Sequence, residues 1–348
     1  MKVVVTARNG TRDFECDPGE KILHAALRRG VELPYECATG TCGTCKARLV
    51  SGRTESEWPE APGGKYLKGE GELLTCQSLA HEDCALETFT LKSREPEAAA
   101  PRVLAGVVHD LRRLTHDVAA FEVDLEAPIE FDAGQFALLT VPGIVGARAY
   151  SMVNFARGAE RLSFVVKKKP DGAVSAWLFG EDAGGVEGAR VALFAPLGHA
   201  TFRPDVRKHV LCIAGGSGIA GMMSILARAC EAEHFAAWDG HVFFGVRTAR
   251  DAFFLDELEA FRARYAARLS VTLALSDEDV PPSLAAAYPG FTFARGFVHA
   301  VAGERMKERF ADLRAYVAGP PPMVDASLRL LLREARLPAA DIRYDKFS

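Results

Sequence analysis

The chain has 348 residues, and because single cores stop growing near ~250–300 residues, two or three domains are expected. Charged residues make up 25% of it and the formal net charge is -4, which leaves no basic face for a phosphate backbone and excludes a nucleic-acid partner. The opening stretch MKVVVTARNGTRDFEC has an apolar run of only three valines before charge returns, so neither an export signal nor an anchor is expected.

In chain order, MKVVVTAR and TRDFECD read as a hairpin of short strands. EKILHAALRRG follows as a helix, with Ile22, Leu23, Ala26 and Leu27 at helical spacing and Gly30 as its C-cap. A cysteine-rich loop and further short strands complete a segment over 1–92. The run SREPEAAAPR cannot contribute to a core and reads as a linker, placed at 93–101. The segment 102–205 is strand-rich, with AFEVDLEAP, QFALLTVPG, LSFVVKKK and RVALFAPLG separated by Gly and Pro turns, which suggests a small antiparallel barrel. In 206–348 strands alternate with helices: HVLCIAGG, a helix from Ile219, HVFFGVR, the helical DAFFLDELEAFRARYAARL, SVTLALS, RAYVAGPPP and a last helix. That order predicts a parallel sheet with crossover helices. Val210 to Ala227 lacks charge for eighteen residues, but its Gly-Gly-Ser-Gly centre divides it into a buried strand, a turn and a helix.

Cys37, Cys42, Cys45 and Cys76 have the spacing C-x4-C-x2-C followed by a distant fourth, the plant-type spacing for a [2Fe–2S] cluster. A loop that wraps a cluster with its N–H groups aimed at sulfur needs backbone conformations open mainly to glycine, and Gly40 and Gly43 fall in the right places. A four-cysteine structural zinc is the alternative, although such sites usually use two C-x2–4-C pairs. Cys76 is preferred over Cys84 as the fourth ligand because it follows the apolar pair Leu73 and Leu74. Cys16, Cys212 and Cys230 read as small buried residues. On these cysteines and glycines the first segment resembles the plant-type ferredoxin domain, a β-grasp fold.

RAYSMVNF places Arg148 and Tyr150 on one face of a strand, a cation suited to a phosphate and a ring suited to cover a flat cofactor. In KKKPDGAVSAWL a Gly172 turn precedes a helix start, where free N–H groups bind phosphate. Together they resemble the R-x-Y-S and G-x-x-S elements of the ferredoxin-NADP reductase family. The resemblance implies that Arg148 holds the FAD pyrophosphate, Tyr150 stacks on the isoalloxazine and Ser151 hydrogen-bonds near flavin N5. It further implies that Gly172, Val174 and Ser175 complete the phosphate site.

AGGSGIAGMMSIL, with Gly215, Gly216, Ser217 and Gly218, follows a strand and opens a helix as a phosphate-cradling loop must. It resembles the family's G-G-T-G-I-A-P, with Ser217 for threonine and Gly221 for proline, a change expected to loosen the helix start. YVAGPPPM, with Gly319 and Pro320, resembles Y-x-C-G-P-P-x-M, and Ala318 stands where the family has cysteine. YDKFS resembles the acidic-basic-aromatic terminus, with Asp345 in the acidic place and Phe347 as the ring near the flavin; a mobile tail is the alternative. After the second strand of this segment, Asp251 is the acidic candidate for a ribose 2'-hydroxyl and predicts NADH, whereas Arg247 and Arg250 nearby are suited to a 2'-phosphate.

A hydride donor gives two electrons together and a [2Fe–2S] cluster takes one at a time; a flavin between them reconciles the two. With this order the chain resembles the reductase components of bacterial multicomponent oxygenases, and SEWPEAPGG looks most like those of toluene monooxygenases. The resemblance implies a cytoplasmic, monomeric NADH-dependent oxidoreductase with FAD and a [2Fe–2S] cluster. Its acceptor is an oxygenase or hydroxylase component, or a small Rieske ferredoxin. A reductase for sugar-nucleotide deoxygenation and a non-catalytic redox-sensing adaptor are the other readings.

Overall fold

A computed structural model describes residues 1–92, 98–180 and 185–346. The chain divides into two compact units. One comprises Met1–Leu104, Ala137–Ala149 and Ala192–Leu197, and the other Ala105–Phe136, Tyr150–Val191 and Gly198–Ser348.

In the first unit, strands β1 (Lys2–Ala7) and β2 (Gly10–Glu15) form the expected hairpin, in register from Lys2 opposite Glu15 to Ala7 opposite Gly10. Helix α1 (Ile22–Arg28) buries Ile22, Leu23, Ala25, Ala26 and Leu27, and Gly30 takes φ +78° just beyond its end. Strands β3 (Lys46–Ser51), β4 (Thr54–Ser56), β5 (Glu72–Leu74), β6 (Ser78–Ala80) and β7 (Cys84–Glu87) complete this part. The sheet order β2-β1-β7-β3-β5, with β1 and β7 parallel beside the antiparallel hairpin, is that of a β-grasp domain.

The strand-rich middle consists of β8 (Arg102–Arg113), β9 (Val118–Ile129), β10 (Phe136–Thr140), β11 (Arg148–Ser151), β12 (Ala159–Lys167) and β13 (Arg190–Leu197). A short helix α2 (Ala173–Phe179) is inserted before β13. The strand order is β11-β10-β13-β8-β9-β12, with β9 antiparallel to both of its neighbours.

The last segment alternates as the sequence predicts. It contains β14 (His209–Gly215), α3 (Ile219–Glu231), β15 (Gly240–Val246), α4 (Leu255–Arg264), β16 (Leu269–Leu275), α5 (Pro282–Ala287), β17 (Thr292–Arg295), α6 (Val298–Arg305), β18 (Leu313–Gly319), α7 (Pro321–Arg329) and β19 (Ile342–Lys346). All six strands pair in parallel in the order β17-β16-β15-β14-β18-β19. Strand β14 shows why the sheet needs two helical layers. Val210, Cys212 and Ala214 pack with α3 and α4 residues such as Leu226 and Leu258, while Leu211 and Ile213 pack with Val301 and Val324 of α6 and α7. Both faces of the strand are thus dry, and its sequence is apolar throughout rather than alternating.

Two details differ from the sequence reading, and a third decides between its alternatives. Helix α3 runs unbroken from Ile219, so Gly221 does not loosen its start. Helix α4 begins only at Leu255, because Phe254 takes φ +59° and the preceding Ala249–Asp251 forms a separate 3-10 turn. The C-terminal residues to Lys346 form β19 beside β18 rather than a tail, while Phe347 lies outside the described residues. Among the described residues no helix is long and apolar enough to cross a membrane.

Truncating Ile213, fully buried at the centre of the sheet, to alanine leaves a cavity worth about 2–5 kcal/mol, to be read as a lowered urea midpoint. Acid sensitivity follows from two imidazoles. Burial pushes His24 down to about 3 and His241 down to about 4. Unfolding frees them to take protons below their ordinary value near 6.5, so stability is full above pH 6.5 and falls as pH drops toward 4. Denaturant titrations across that window, in the parent and in His241→Phe, should show a shallower fall in the variant.

Candidate functional site

The cysteine loop between α1 and β3 is held open by left-handed backbone. Ala38 has φ +54°, Gly40 +85° and Gly43 +77°. A Cβ on Gly40 would lie 2.9 Å from Gln77 Cγ, and one on Gly43 would lie 2.4 Å from the Tyr66 ring, so both positions are restricted by space as well as by torsion. The turn places N–H groups on sulfur: Cys37 Sγ accepts from Thr39 N and Cys42 N, each at 3.4 Å. From the far side, β5 ends at Leu74 and delivers Cys76, fully buried, with its Sγ 3.1 Å from Cys45 Sγ. Gln77 Nε2 reaches Cys76 Sγ at 3.7 Å. The hydrogen bond from Cys42, with help from Thr39 and Thr41, pulls the Cys37 thiol down to about 4, and Cys45 lowers Cys76 in the same way. The partners Cys42 and Cys45 are raised by the same two pairings; four clustered thiols, N–H donors on sulfur and a glycine-shaped loop fit a [2Fe–2S] cluster. Cys84 is engaged elsewhere, its Sγ donating to the carbonyls of Glu82 and Arg53. Burial pushes Cys16 and Cys230 up to about 11 and Cys212 up to about 12, so these three are inert packing residues.

Arg148, Tyr150 and Ser151 lie on β11. The Arg148 guanidinium donates only to the carbonyls of Ala147 and Val145, at 3.1 and 3.5 Å, and has no carboxylate partner among the described residues. A guanidinium without a counter-ion fits a phosphate. Ser151 is buried against α3, its Oγ 3.6 Å from where a Cβ of Gly221 would stand. Gly172 caps α2, with Val174 and Ser175 buried in the first turn and the Ser175 hydroxyl accepting Lys169 N–H at 2.8 Å. That hydroxyl keeps its own proton to donate.

A cavity of about 900 Å³ opens at the carboxyl edge of the parallel sheet, where open α/β sheets bind ligands. Gly215, Gly216 and Ser217 line it from the β14 side and Gly319 and Pro320 from the β18 side. Gly218 lies beneath, where a Cβ would meet Ala318 O at 2.2 Å. Asp345 of β19 is in register with Ala318. Asp251 also lines the cavity but is only 5% exposed. Its Oδ2 accepts from Thr248 N at 2.9 Å and Thr248 Oγ1 at 2.8 Å, a capping box for the 3-10 turn. Arg247 lies 3.9 Å from that carboxylate and is 61% exposed at the cavity wall. A nucleotide fits this lining of glycine backbone, apolar wall and mostly cationic side chains.

Lys169, Phe297, His299 and Arg329 also line the cavity, and the sequence reading missed them. The His299 ring stacks on the exposed Phe297 ring at 5.9 Å, and burial, then Arg329, lowers its pKa. Gly296 at φ +132° was their available signal, a turn before a helix too weakly patterned to be recognised.

Comparison with known proteins finds three family domains along the chain. A 2Fe-2S iron-sulfur cluster binding domain matches residues 5–81, an oxidoreductase FAD-binding domain 105–202 and an oxidoreductase NAD-binding domain 212–328. The chain is 36% identical to the ferredoxin–NAD(P)(+) reductase CarAd of Metapseudomonas resinovorans, over 95% of this chain and 96% of that one. It is also 36% identical to the ferredoxin–NAD(+) reductase component of the alkene monooxygenase system of Xanthobacter autotrophicus, over 97% and 99%. Among solved structures, the ferredoxin reductase in carbazole 1,9a-dioxygenase superposes with TM-score 0.83 at 31% identity, over 100% of this chain and 99% of that one. The Amycolatopsis cytochrome P450 reductase GcoB superposes with TM-score 0.80 at 28% identity, over 99% and 98%.

Replacing Cys76 by serine should cut the iron bound by the purified protein and bleach its visible cluster absorption, whereas Cys84→Ser should leave both unchanged. Equal loss in the two variants would assign the fourth thiol wrongly.

Proposed function

The chain belongs to the ferredoxin–NAD(P)(+) reductase components of multicomponent oxygenase systems, and on that footing we propose how its own residues divide the work. It is an oxidoreductase that carries electrons from a reduced nicotinamide through FAD and a [2Fe–2S] cluster toward an oxygenase. Cys37, Cys42, Cys45 and Cys76 hold the cluster. Arg148 suits an FAD phosphate, and the α2 turn at Gly172, Val174 and Ser175 offers phosphate donors of its own, while Tyr150 covers the ring system and Ser151 hydrogen-bonds beside its reactive nitrogen. Gly215, Gly216, Ser217 and Gly218 cradle the nicotinamide nucleotide's phosphates, and Gly319, Pro320 and Asp345 border its reacting end. FAD, when bound, supplies the exchange between paired and single electrons, so no side chain need act as a general acid or base; the chain binds, orients and excludes water.

The observation that carries this reading is that one chain has both a nucleotide cavity at a sheet edge and four converging thiols. The acceptor is a protein, met in a small transient encounter of the kind usual for electron transfer, with the reductase a cytoplasmic monomer. Equal identity to one monooxygenase reductase and to CarAd leaves the toluene-type insertion as the one feature favouring an aromatic monooxygenase partner. NADH is the preferred donor. Asp251 supports this through its field, because its Oδ1 is buried and its Oδ2 is occupied by the cap; a buried negative charge at the cavity wall repels a 2'-phosphate.

Anaerobic addition of one equivalent of NADH should bleach both flavin and cluster absorption in protein with two irons and one FAD. Cys42→Ser should keep ferricyanide reduction and lose cytochrome c reduction; retention of both would place the cluster off the electron path. Asp251→Asn, which removes the charge but keeps an oxygen for the cap, should lower the ratio of kcat/KM for NADH over NADPH about tenfold, or ~1.4 kcal/mol. An unchanged ratio would remove Asp251 from nucleotide selection.

A further inference from the structure

Beside the nucleotide cavity three metal-ligating side chains converge, and for two of them, His116 and Asp117, electron transfer has no use. His116 and Asp117 stand in the turn between β8 and β9, and Asp251 in the 3-10 turn after β15. One ligand atom from each lies within 4.8 Å of the other two. His116 Nε2 is 3.8 Å from Asp117 Oδ2 and 3.8 Å from Asp251 Oδ1, beyond hydrogen-bonding distance in both directions. The independent sign of a ligand is Asp251 itself. It is 5% exposed, its cap uses only Oδ2, and Oδ1 is buried without a hydrogen-bond partner, facing His116. A buried carboxylate oxygen left without a donor is costly, and the cap accounts for only half of the residue.

We propose that His116 Nε2, Asp117 Oδ2 and Asp251 Oδ1 bind a divalent cation of the zinc class. One imidazole and two carboxylates suit Zn²⁺, whereas Ca²⁺ and Mg²⁺ seek oxygen-only shells. Tetrahedral zinc holds its ligands at about 2.0–2.2 Å and so roughly 3.4 Å from one another. From a limit of 4.8 Å, each pair of donors therefore closes by at most about 1.4 Å. The His116 side chain is 42% exposed and supplies that movement, and water takes the fourth position.

Among the described residues two cations flank the site, and Glu278 accepts Ala249 N–H in the turn that carries Asp251. Lys167 Nζ is 2.6 Å from Asp117 Oδ2, and Arg247 Nε is 3.9 Å from Asp251 Oδ2. An entering ion must displace Lys167 from Asp117, which its 37% exposed side chain allows. Lys167 lines the nucleotide cavity. Metal binding thus frees an ammonium at the cavity wall and offsets the charge of Asp251, and zinc should narrow the preference for NADH over NADPH. That consequence rests on the reading of Asp251 given above; the site itself does not.

The test titrates Zn²⁺ into oxidised protein carrying FAD and its cluster, followed by dialysis and elemental analysis of zinc and iron. The expected result is one zinc per chain with iron unchanged, and an affinity reduced about tenfold or more in His116→Ala while flavin, iron and NADH oxidation are retained. His116→Gln gives the same reading should the alanine variant lose flavin. Uptake of no zinc, equal uptake by parent and variant, or zinc gained only as iron is lost would each overturn the site. Zinc bound as expected with an unaltered NADH to NADPH ratio would overturn the role of Asp251 in nucleotide selection and leave the metal site standing.

Discussion

The nucleotide-binding unit depends on how closely two backbones meet at the carboxyl edge of its sheet. A side chain at Gly218 would place its first carbon 2.2 Å from Ala318 O and 2.7 Å from Gly319 N. Only glycine lets the first turn after β14 pass so near the end of β18, and the same approach seats Gly215 against Pro320 and Met323. With those ends drawn together, the exposed N–H groups of one turn and the proline-capped start of α7 face a common cavity. The two helical layers keep it in place, because β14 is dry on both faces and has no freedom to slip.

The thiol loop solves a different problem with the same residue type. In the sheet edge, glycine makes room for backbone; in the loop, it supplies left-handed turns that aim N–H groups at sulfur. Rigid neighbours support both. Cys76 arrives at the end of a buried strand, and Thr75 anchors that strand to Cys45, its N–H and its hydroxyl both donating to Cys45 O at 3.1 Å. A centre that changes charge by one electron profits from ligands that do not move when it does.

Much of this was legible in the sequence, and the reason is spacing. Four cysteines at fixed separations, a Gly-Gly-Ser-Gly after an apolar strand and R-x-Y-S on a strand are local signals, and each lies on the kind of element its spacing suggested. What was not legible depends on tertiary contacts. Helix α6 has a glycine in its middle and follows a turn, so its periodicity is weak, and the cavity residues Phe297 and His299 went unseen with it. Gly221 looked like a weak helix start, yet it is buried beside Ser151 within a helix that runs unbroken from Ile219. Asp251 was read as the acid for a ribose 2'-hydroxyl, and only the folded turn shows that one of its oxygens is already engaged.

That engagement has an evolutionary consequence. The carboxylate of Asp251 closes the turn after β15 and also lines the cavity wall, so a substitution there that leaves no side-chain oxygen also loosens the turn. Losing such a cap typically costs about 0.5–2 kcal/mol, a large fraction of the margin by which domains stay folded. Drift in donor preference should therefore proceed first through the exposed Arg247, which has no such structural duty, and reach Asp251 only in lineages that have gained stability elsewhere. Within the family, cofactor choice and fold robustness would then vary together.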